Sequence, residues 1–145
     1  MKKSKYDSLK LENQLCFLLY ACSREMIKKY RPHLDEIGLT YTQYITMMVF
    51  WEEKTINVKE LGKKLFLDSG TLTPVLKSLE AKGYLNRHRS TEDERVLIVE
   101  ITDSGEALKK QAISIPEKVA SCVKLDAEES LQLYNRLYKL LGDMN

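Results

Sequence analysis

Apolar residues along the chain recur mainly at intervals of three and four, with one change of period between residues 84 and 102. The pattern predicts a mostly helical protein interrupted by a short β segment. Leu11, Leu15, Leu18, Leu19, Cys22 and Met26 share one stripe of a first helix, expected to run to about Tyr30, where Arg31-Pro32 interrupts it. The other side of that helix is not simply polar, because Cys16, Phe17, Tyr20 and Ile27 cluster away from the stripe. A helix apolar on two sides needs two partners, and in so small a chain the second is expected to be another copy of it.

After Gly38, Thr40 with Gln43 three residues on forms a capping-box pattern that opens a helix through Tyr44, Ile45, Met48 and Trp51. Asn57 with Glu60 repeats the device for a short helix, Val58 to about Leu65. A turn at Phe66-Leu67-Asp68 leads to a further helix ending near Gly83. Pro74 is awkward in a helix interior, which allows that helix to begin later than Ser69, with Asp68 to Gly70 as its approach turn. Two helices joined by a tight turn suggest a helix-turn-helix. "YLNRHR" and "VLIVEIT" then read as strands, with "STEDER" as a hairpin tip. Thr102 leads into a long helical stretch that Pro116 should kink or divide. Asp126 with Glu129 caps a last helix with a stripe of Ala127, Leu131, Tyr134, Tyr138 and Leu141.

The 145 residues, 43% of them hydrophobic, suit one domain with a real core. No run approaches the ~18 to 20 apolar residues of a membrane span, and the N-terminus lacks the apolar core of a secretory signal, so a cytoplasmic protein without a membrane partner is expected. Three widely spaced cysteines do not make a disulfide framework. A net charge of +2, from 23 Lys plus Arg against 21 Asp plus Glu, neither requires nor excludes nucleic acid. His33 and His88 lack metal-ligand spacing, and neither a G-x-S-x-G nucleophile pattern nor a Gly-rich phosphate loop occurs. No cofactor, no metal and no enzymatic activity are therefore expected.

Local charge is more informative. Lys77, Lys82, Arg87 and Arg89 face only Glu80 between residues 77 and 89, and Arg95 follows at the hairpin tip. A hairpin directly after a helix-turn-helix is the wing arrangement, in which the second helix enters the major groove of duplex DNA and the basic hairpin reaches phosphate or the minor groove. "DSGTLTPVLK" offers small hydroxyls and backbone N–H groups for close approach, with Ser69, Thr71, Thr73 and Lys77 as contact candidates. In isolation such a stretch reads more often as a solvated basic face whose hydroxyls cap a helix; the adjoining wing reverses that reading.

"LDSGTLTPVLKSLEAKGYLNRHRSTEDERVLIVEIT" closely resembles the MarR family of winged-helix regulators. Together with "LENQLCFLLYACSREM" and "LTYTQY", it resembles the organic-hydroperoxide-sensing OhrR branch over almost the whole chain. The resemblance implies one domain, residues 1–145, mainly α with a β-hairpin wing. It places the winged helix-turn-helix at about 40–102 and dimerisation helices at about 9–32 and 103–143. It implies a homodimer that represses genes from a palindromic operator, with Asp68, Ser69, Gly70, Thr71, Thr73, Lys77, Arg87, Arg89, Asp93 and Arg95 at the DNA. Arg95 would reach the minor groove, and Asp93 would orient basic wing residues.

A sensing cysteine needs thiolate character, access for peroxide and a neighbour that traps the sulfenic acid. Cys16, with Tyr20 one turn on, is in isolation more often a small buried hydrophobe. In the OhrR branch the matching residue is the peroxidatic thiol, and phenols matching Tyr30 and Tyr41 of the partner subunit bond to it. Cys22, near the centre of the leucine stripe, reads as a core residue. Its Cα lies ~9 Å from that of Cys16 along a helix, beyond the ~7 Å an unstrained disulfide spans. Cys122 stands where two-cysteine OhrR proteins place a resolving cysteine; a plain helix cysteine, with a small cellular thiol as the trap, is the alternative. Three other readings stay open: release by a small aromatic ligand near the wing hinge, a thiol peroxidase, and a winged-helix protein-interaction module.

Overall fold

A computed structural model describes residues 4–145. Two short 3-10 turns, Asp7–Leu9 and Leu11–Asn13, precede α1 (Leu15–Glu36) and α2 (Tyr41–Glu53). Then follow β1 (Thr55–Asn57), α3 (Val58–Leu65), α4 (Ser69–Ala81), β2 (Leu85–Arg89), β3 (Leu97–Ile101), α5 (Asp103–Ala112), α6 (Ile115–Ala120) and α7 (Ala127–Met144). The chain divides into two compact units, Met1–Ile115 and Pro116–Asn145.

In the first unit α2 is the central helix. Tyr44, Met47, Phe50 and Trp51 are all buried, as are Gln43 and Thr46 between them. Its start is the expected capping box: Thr40 Oγ1 accepts from Gln43 N–H, and Gln43 Oε1 accepts from Thr40 N–H. Gln43 also donates to Ser78 Oγ at 2.9 Å, which ties α2 to α4. Leu61 of α3, Leu72, Leu76 and Leu79 of α4 and Leu85 and Val99 of the sheet complete this core. The sheet is antiparallel in the order β1-β3-β2, with Ile56 opposite Val99 and Arg87 opposite Val99 on the other side. The hairpin of β2 and β3 is the expected wing. In the second unit Asp126 and Glu129 form the reciprocal cap of α7, and none of the α7 residues is buried.

Four expectations need correction. The first helix neither begins at Leu11 nor stops at Tyr30: α1 starts at Leu15 and runs through Pro32. Proline costs one backbone bond, but its fixed φ is helical, and the last turn is held by buried Leu34 and by a terminal reversal through Gly38 at φ +69°. Leu34 O accepts from both Ile37 and Leu39 N–H there. Cys22 is exposed rather than buried, as are Leu15, Leu18 and Leu19 of the same stripe. Helix α4 begins at Ser69 despite Pro74, because Asp68 caps it by accepting from Thr71 N–H at 2.7 Å. The strand β1 was not expected; its three residues, wedged between two helices, are too few to show a period.

Candidate nucleic-acid interface and thiol site

Helices α3 and α4 meet through a turn that leaves no spare volume. A Cβ on Gly62 would stand 2.7 Å from Leu67 O, so glycine lets the turn fold back on α3. Phe66 takes the left-handed conformation at φ +54°, and Leu67 N–H donates to Gly62 O at 3.0 Å. With Leu72, Leu76 and Leu79 buried, α4 turns Ser69, Gly70, Thr71, Thr73 and Lys77 outward. Thr71 N–H is taken by Asp68, and Thr73 Oγ1 donates to Ser69 O at 2.7 Å, so these hydroxyl groups stand on a fixed first turn. The bond from Thr71 holds the Asp68 carboxyl below the usual carboxylate range, so the cap is an anion at neutral pH.

The wing presents its arginines unequally. Arg95 stands 91% exposed beyond the hairpin, its guanidinium gripped in a fork by Asp93: Nε to Oδ1 at 3.0 Å and Nη2 to Oδ2 at 3.1 Å. That pairing pulls the Asp93 carboxyl below its ordinary range. Arg89 is exposed at the end of β2. Arg87 instead lies against Glu80 of α4, with Nε 2.9 Å from Oε2 and Nη2 3.3 Å from Oε1, so its charge is already engaged. His88 Nδ1 lies 4.0 Å from Glu100 Oε1 on the neighbouring strand. Ser69, Thr73 and Arg95 converge on a cleft of about 380 Å³ that Asn57, Lys59 and Glu60 also line. Sequence reading had seen Asn57 and Glu60 only as a helix cap; the same device, placed beside the wing, sets the floor of this cleft.

The three cysteines are free thiols and all exposed. Cys16 is the second residue of α1, whose first turn receives no side-chain cap. Tyr20 does not bond to it; its ring carries the Arg24 guanidinium at 5.3 Å instead. Tyr30 and Tyr41 are brought together from α1 and α2, with ring centroids 5.0 Å apart. Fourteen residues of helix separate Cys16 from Tyr30, about 21 Å of axial rise, so the two phenols cannot reach the thiol of their own chain. Cys122 follows α6, its Sγ 3.7 Å from Lys118 O. Among the described residues no group of His, Cys, Asp and Glu is placed to hold a metal ion, and no helix is long and apolar enough to cross a membrane.

Against known proteins, the family model of the transcriptional regulator SarA/Rot matches residues 28–112. This chain belongs to the SarA/Rot family of transcriptional regulators. The SarA/Rot chain is also 49% identical, over 143 residues, to the organic hydroperoxide resistance transcriptional regulator of Bacillus subtilis (strain 168), a match covering 99% of this chain and 97% of that one. Among solved structures it is similar to AbfR of Staphylococcus epidermidis. Reduced AbfR bound to DNA superposes with a TM-score of 0.76 at 35% identity, covering 97% of this chain and 98% of that one. Disulfide-formed AbfR gives 0.66 at 35%, covering 97% and 96%. The SarA/Rot protein is thus a DNA-binding transcriptional regulator rather than an enzyme, and its winged-helix fold is that of MarR-family neighbours.

Proposed function

We propose that this SarA/Rot regulator is a cytoplasmic, homodimeric repressor of a palindromic operator, and that it lets go of DNA when an organic hydroperoxide oxidises Cys16. The observation that carries the reading is the split sensor: an exposed thiol at one end of α1 and a paired set of phenols, Tyr30 and Tyr41, at the other. In an antiparallel pairing of two α1 helices, the phenols of one protomer meet the thiol of the other. Exposed apolar residues on α1 (Leu15, Leu18, Leu19) and on α7 (Leu131, Tyr134, Tyr138) supply faces for such a dimer. Relatives support the redox part: one is named for hydroperoxide resistance, and AbfR has been solved reduced, disulfide-bonded and overoxidised.

The chemistry balances simply. The Cys16 sulfur, reacting as its thiolate, attacks the distal peroxide oxygen. The O–O bond breaks, sulfur gains the oxygen as sulfenic acid, and the alkoxide leaves with a proton as an alcohol. A second thiol, either Cys122 or a small cellular thiol, then condenses with the sulfenic acid and releases water. Loss of the phenol bonds shifts the dimer helices and moves the two recognition helices out of the ~34 Å spacing of successive major grooves. Within each protomer Ser69, Gly70, Thr71, Thr73 and Lys77 face the major groove, Arg89 and Arg95 reach the backbone and minor groove, and Asp68 and Asp93 position them. Arg87 acts through its tie to Glu80.

Fluorescence anisotropy on duplex DNA from upstream of the protein's own gene tests the reading. Reduced protein should bind, cumene hydroperoxide should release it, and reductant should restore it; Cys16→Ser should bind and stay bound. A Cys16→Ser variant that peroxide still releases defeats the proposal. A cleft of about 300 Å³ between the end of α1 and the start of α2, lined by Ile27, Arg31, Leu34 and Tyr41, favours a second reading. Its apolar wall beside one guanidinium and the Asp35 carboxylate suits a small aromatic ligand, and release of Cys16→Ser by such a ligand would select it.

A further inference from the structure

Tyr44 sits directly behind the two phenols of the proposed sensor. Its centroid lies 5.8 Å from that of Tyr30 and 6.3 Å from that of Tyr41, and the side chain is only 2% exposed. Among the described residues its hydroxyl has no hydrogen-bond partner. A buried phenol without a partner is a cost that phenylalanine, filling the same volume, does not carry. Burial first, and then the neighbouring phenols, push its pKa up to about 12, so the group remains a proton donor at any physiological pH.

Two turns along the same face of α2, Trp51 receives the edge of Tyr44, with centroids 6.4 Å apart at 68°. Trp51 Nε1 donates to Gly105 O at 2.9 Å in a fully buried bond. Gly105 lies at the root of the wing: a Cβ there would fall 2.4 Å from Tyr84 O and 2.7 Å from Ile101 Cγ1. Its own N–H donates to Thr102 Oγ1, which in turn donates to Gly83 O, while Thr102 N–H donates to Tyr84 O. The carbonyl that Trp51 grips therefore belongs to the junction where β2 begins and β3 ends.

We propose that Tyr44 is a positioning residue, offering Tyr30 or Tyr41 a hydrogen bond when oxidation parts them from the sulfur, and transmitting that change through Trp51 to the root of the wing. The inference rests on the thiol-switch reading above and adds to it a route inside one protomer. Centroid spacings of 5.8 and 6.3 Å put both phenols in ring contact with Tyr44, and a swing of one ring about its Cα–Cβ bond, rather than a flip in place, brings its hydroxyl to that of Tyr44. The new bond draws on the Tyr44 ring, and the edge contact with Trp51 carries the displacement to Gly105.

Trp51 is the chain's single tryptophan, so its fluorescence reads this route directly. In the full-length protein, cumene hydroperoxide should change that fluorescence at the rate of DNA release, and Cys16→Ser should abolish the change. Tyr44→Phe should bind operator DNA when reduced and oxidise at Cys16, as intact mass shows. Its oxidation-induced loss of affinity should nevertheless shrink at least about fivefold, the lower range of allosteric couplings. Trp51→Phe, which keeps a smaller aromatic ring against Tyr44 and removes the donor to Gly105, should shrink the loss similarly, and the double variant should add little. Full release of oxidised Tyr44→Phe and Trp51→Phe overturns this route while leaving the thiol switch standing. Wild-type protein oxidised at Cys16 that keeps its grip on DNA overturns both.

Discussion

At the scale of single residues, the wing turns on a pair of side chains two positions apart. Asp93 holds Arg95 outward in a two-pronged grip, so the guanidinium that the proposed function brings to DNA is already oriented rather than searching rotamers. Arg95→Ala should weaken operator binding about tenfold and lower the salt slope by about one, as anisotropy titrations at several salt concentrations would show. Because pairing with Arg95 depresses the Asp93 carboxyl, the grip is present above the ordinary carboxylate range and lost only as pH falls through the lowered value. Operator affinity should therefore show no step from Asp93 titration at mildly acidic pH. Tyr44 gives the opposite sign. Burial raises its pKa, so stability is untouched below the ordinary phenol value and is lost as pH climbs toward about 12, and the late phenolate absorbance step that accompanies alkaline unfolding should shrink in Tyr44→Phe. Arg95 was legible as a charge at the hairpin tip, and Asp93 beside it from the family resemblance. The capture of Arg87 by Glu80 was not, since it spans the join of α4 and β2, where no periodic pattern pairs residues.

At the scale of elements, the caps were the most readable features and the closest packings the least. Thr40, Asn57 and Asp126, read as caps from the sequence, each stand one residue before a helix and accept a backbone N–H three residues on; Asp68, read as part of a turn, and Thr102 do the same. Thr40→Ala should cost about 1 kcal/mol in a urea melt, the usual worth of such a cap. Gly105 shows no pattern in the sequence, because its requirement comes from Tyr84 and Ile101, which approach from another part of the chain. Gly105→Ala forces backbone oxygen and side-chain carbon apart and should cost about 3 kcal/mol by the same measurement. The course of α1 through Pro32 was misread for a related reason. A local rule ends a helix at proline, whereas the burial of Leu34 and the reversal at Gly38 hold the last turn in place.

At the scale of the whole molecule, the outstanding fact is apolar surface without a cover. Leu15, Leu18 and Leu19 on α1 are exposed, as are Leu131, Tyr134 and Tyr138 on α7. The sequence pattern assigns the second partner to the other side of α1, Cys16, Phe17, Tyr20 and Ile27, and makes the leucine stripe the inward face; the period of a stripe does not say whether its cover lies in the same chain or in another. If these faces close a dimer, Leu15→Glu with Leu19→Glu should sediment as a monomer and lose operator binding, while its circular dichroism stays helical. The length of α1 has a consequence for inheritance as well. Under the proposed thiol switch, a thiol at one end of the helix and phenols at the other mean that each sensor is assembled from two copies of the chain. An allele encoding Cys16→Ser and another encoding Tyr30→Phe with Tyr41→Phe would each be deaf to peroxide alone. Expressed together they should complement in part, since every mixed dimer, about half of all dimers at equal expression, regains one complete sensor, and a cell carrying both should show partial induction where neither single mutant shows any.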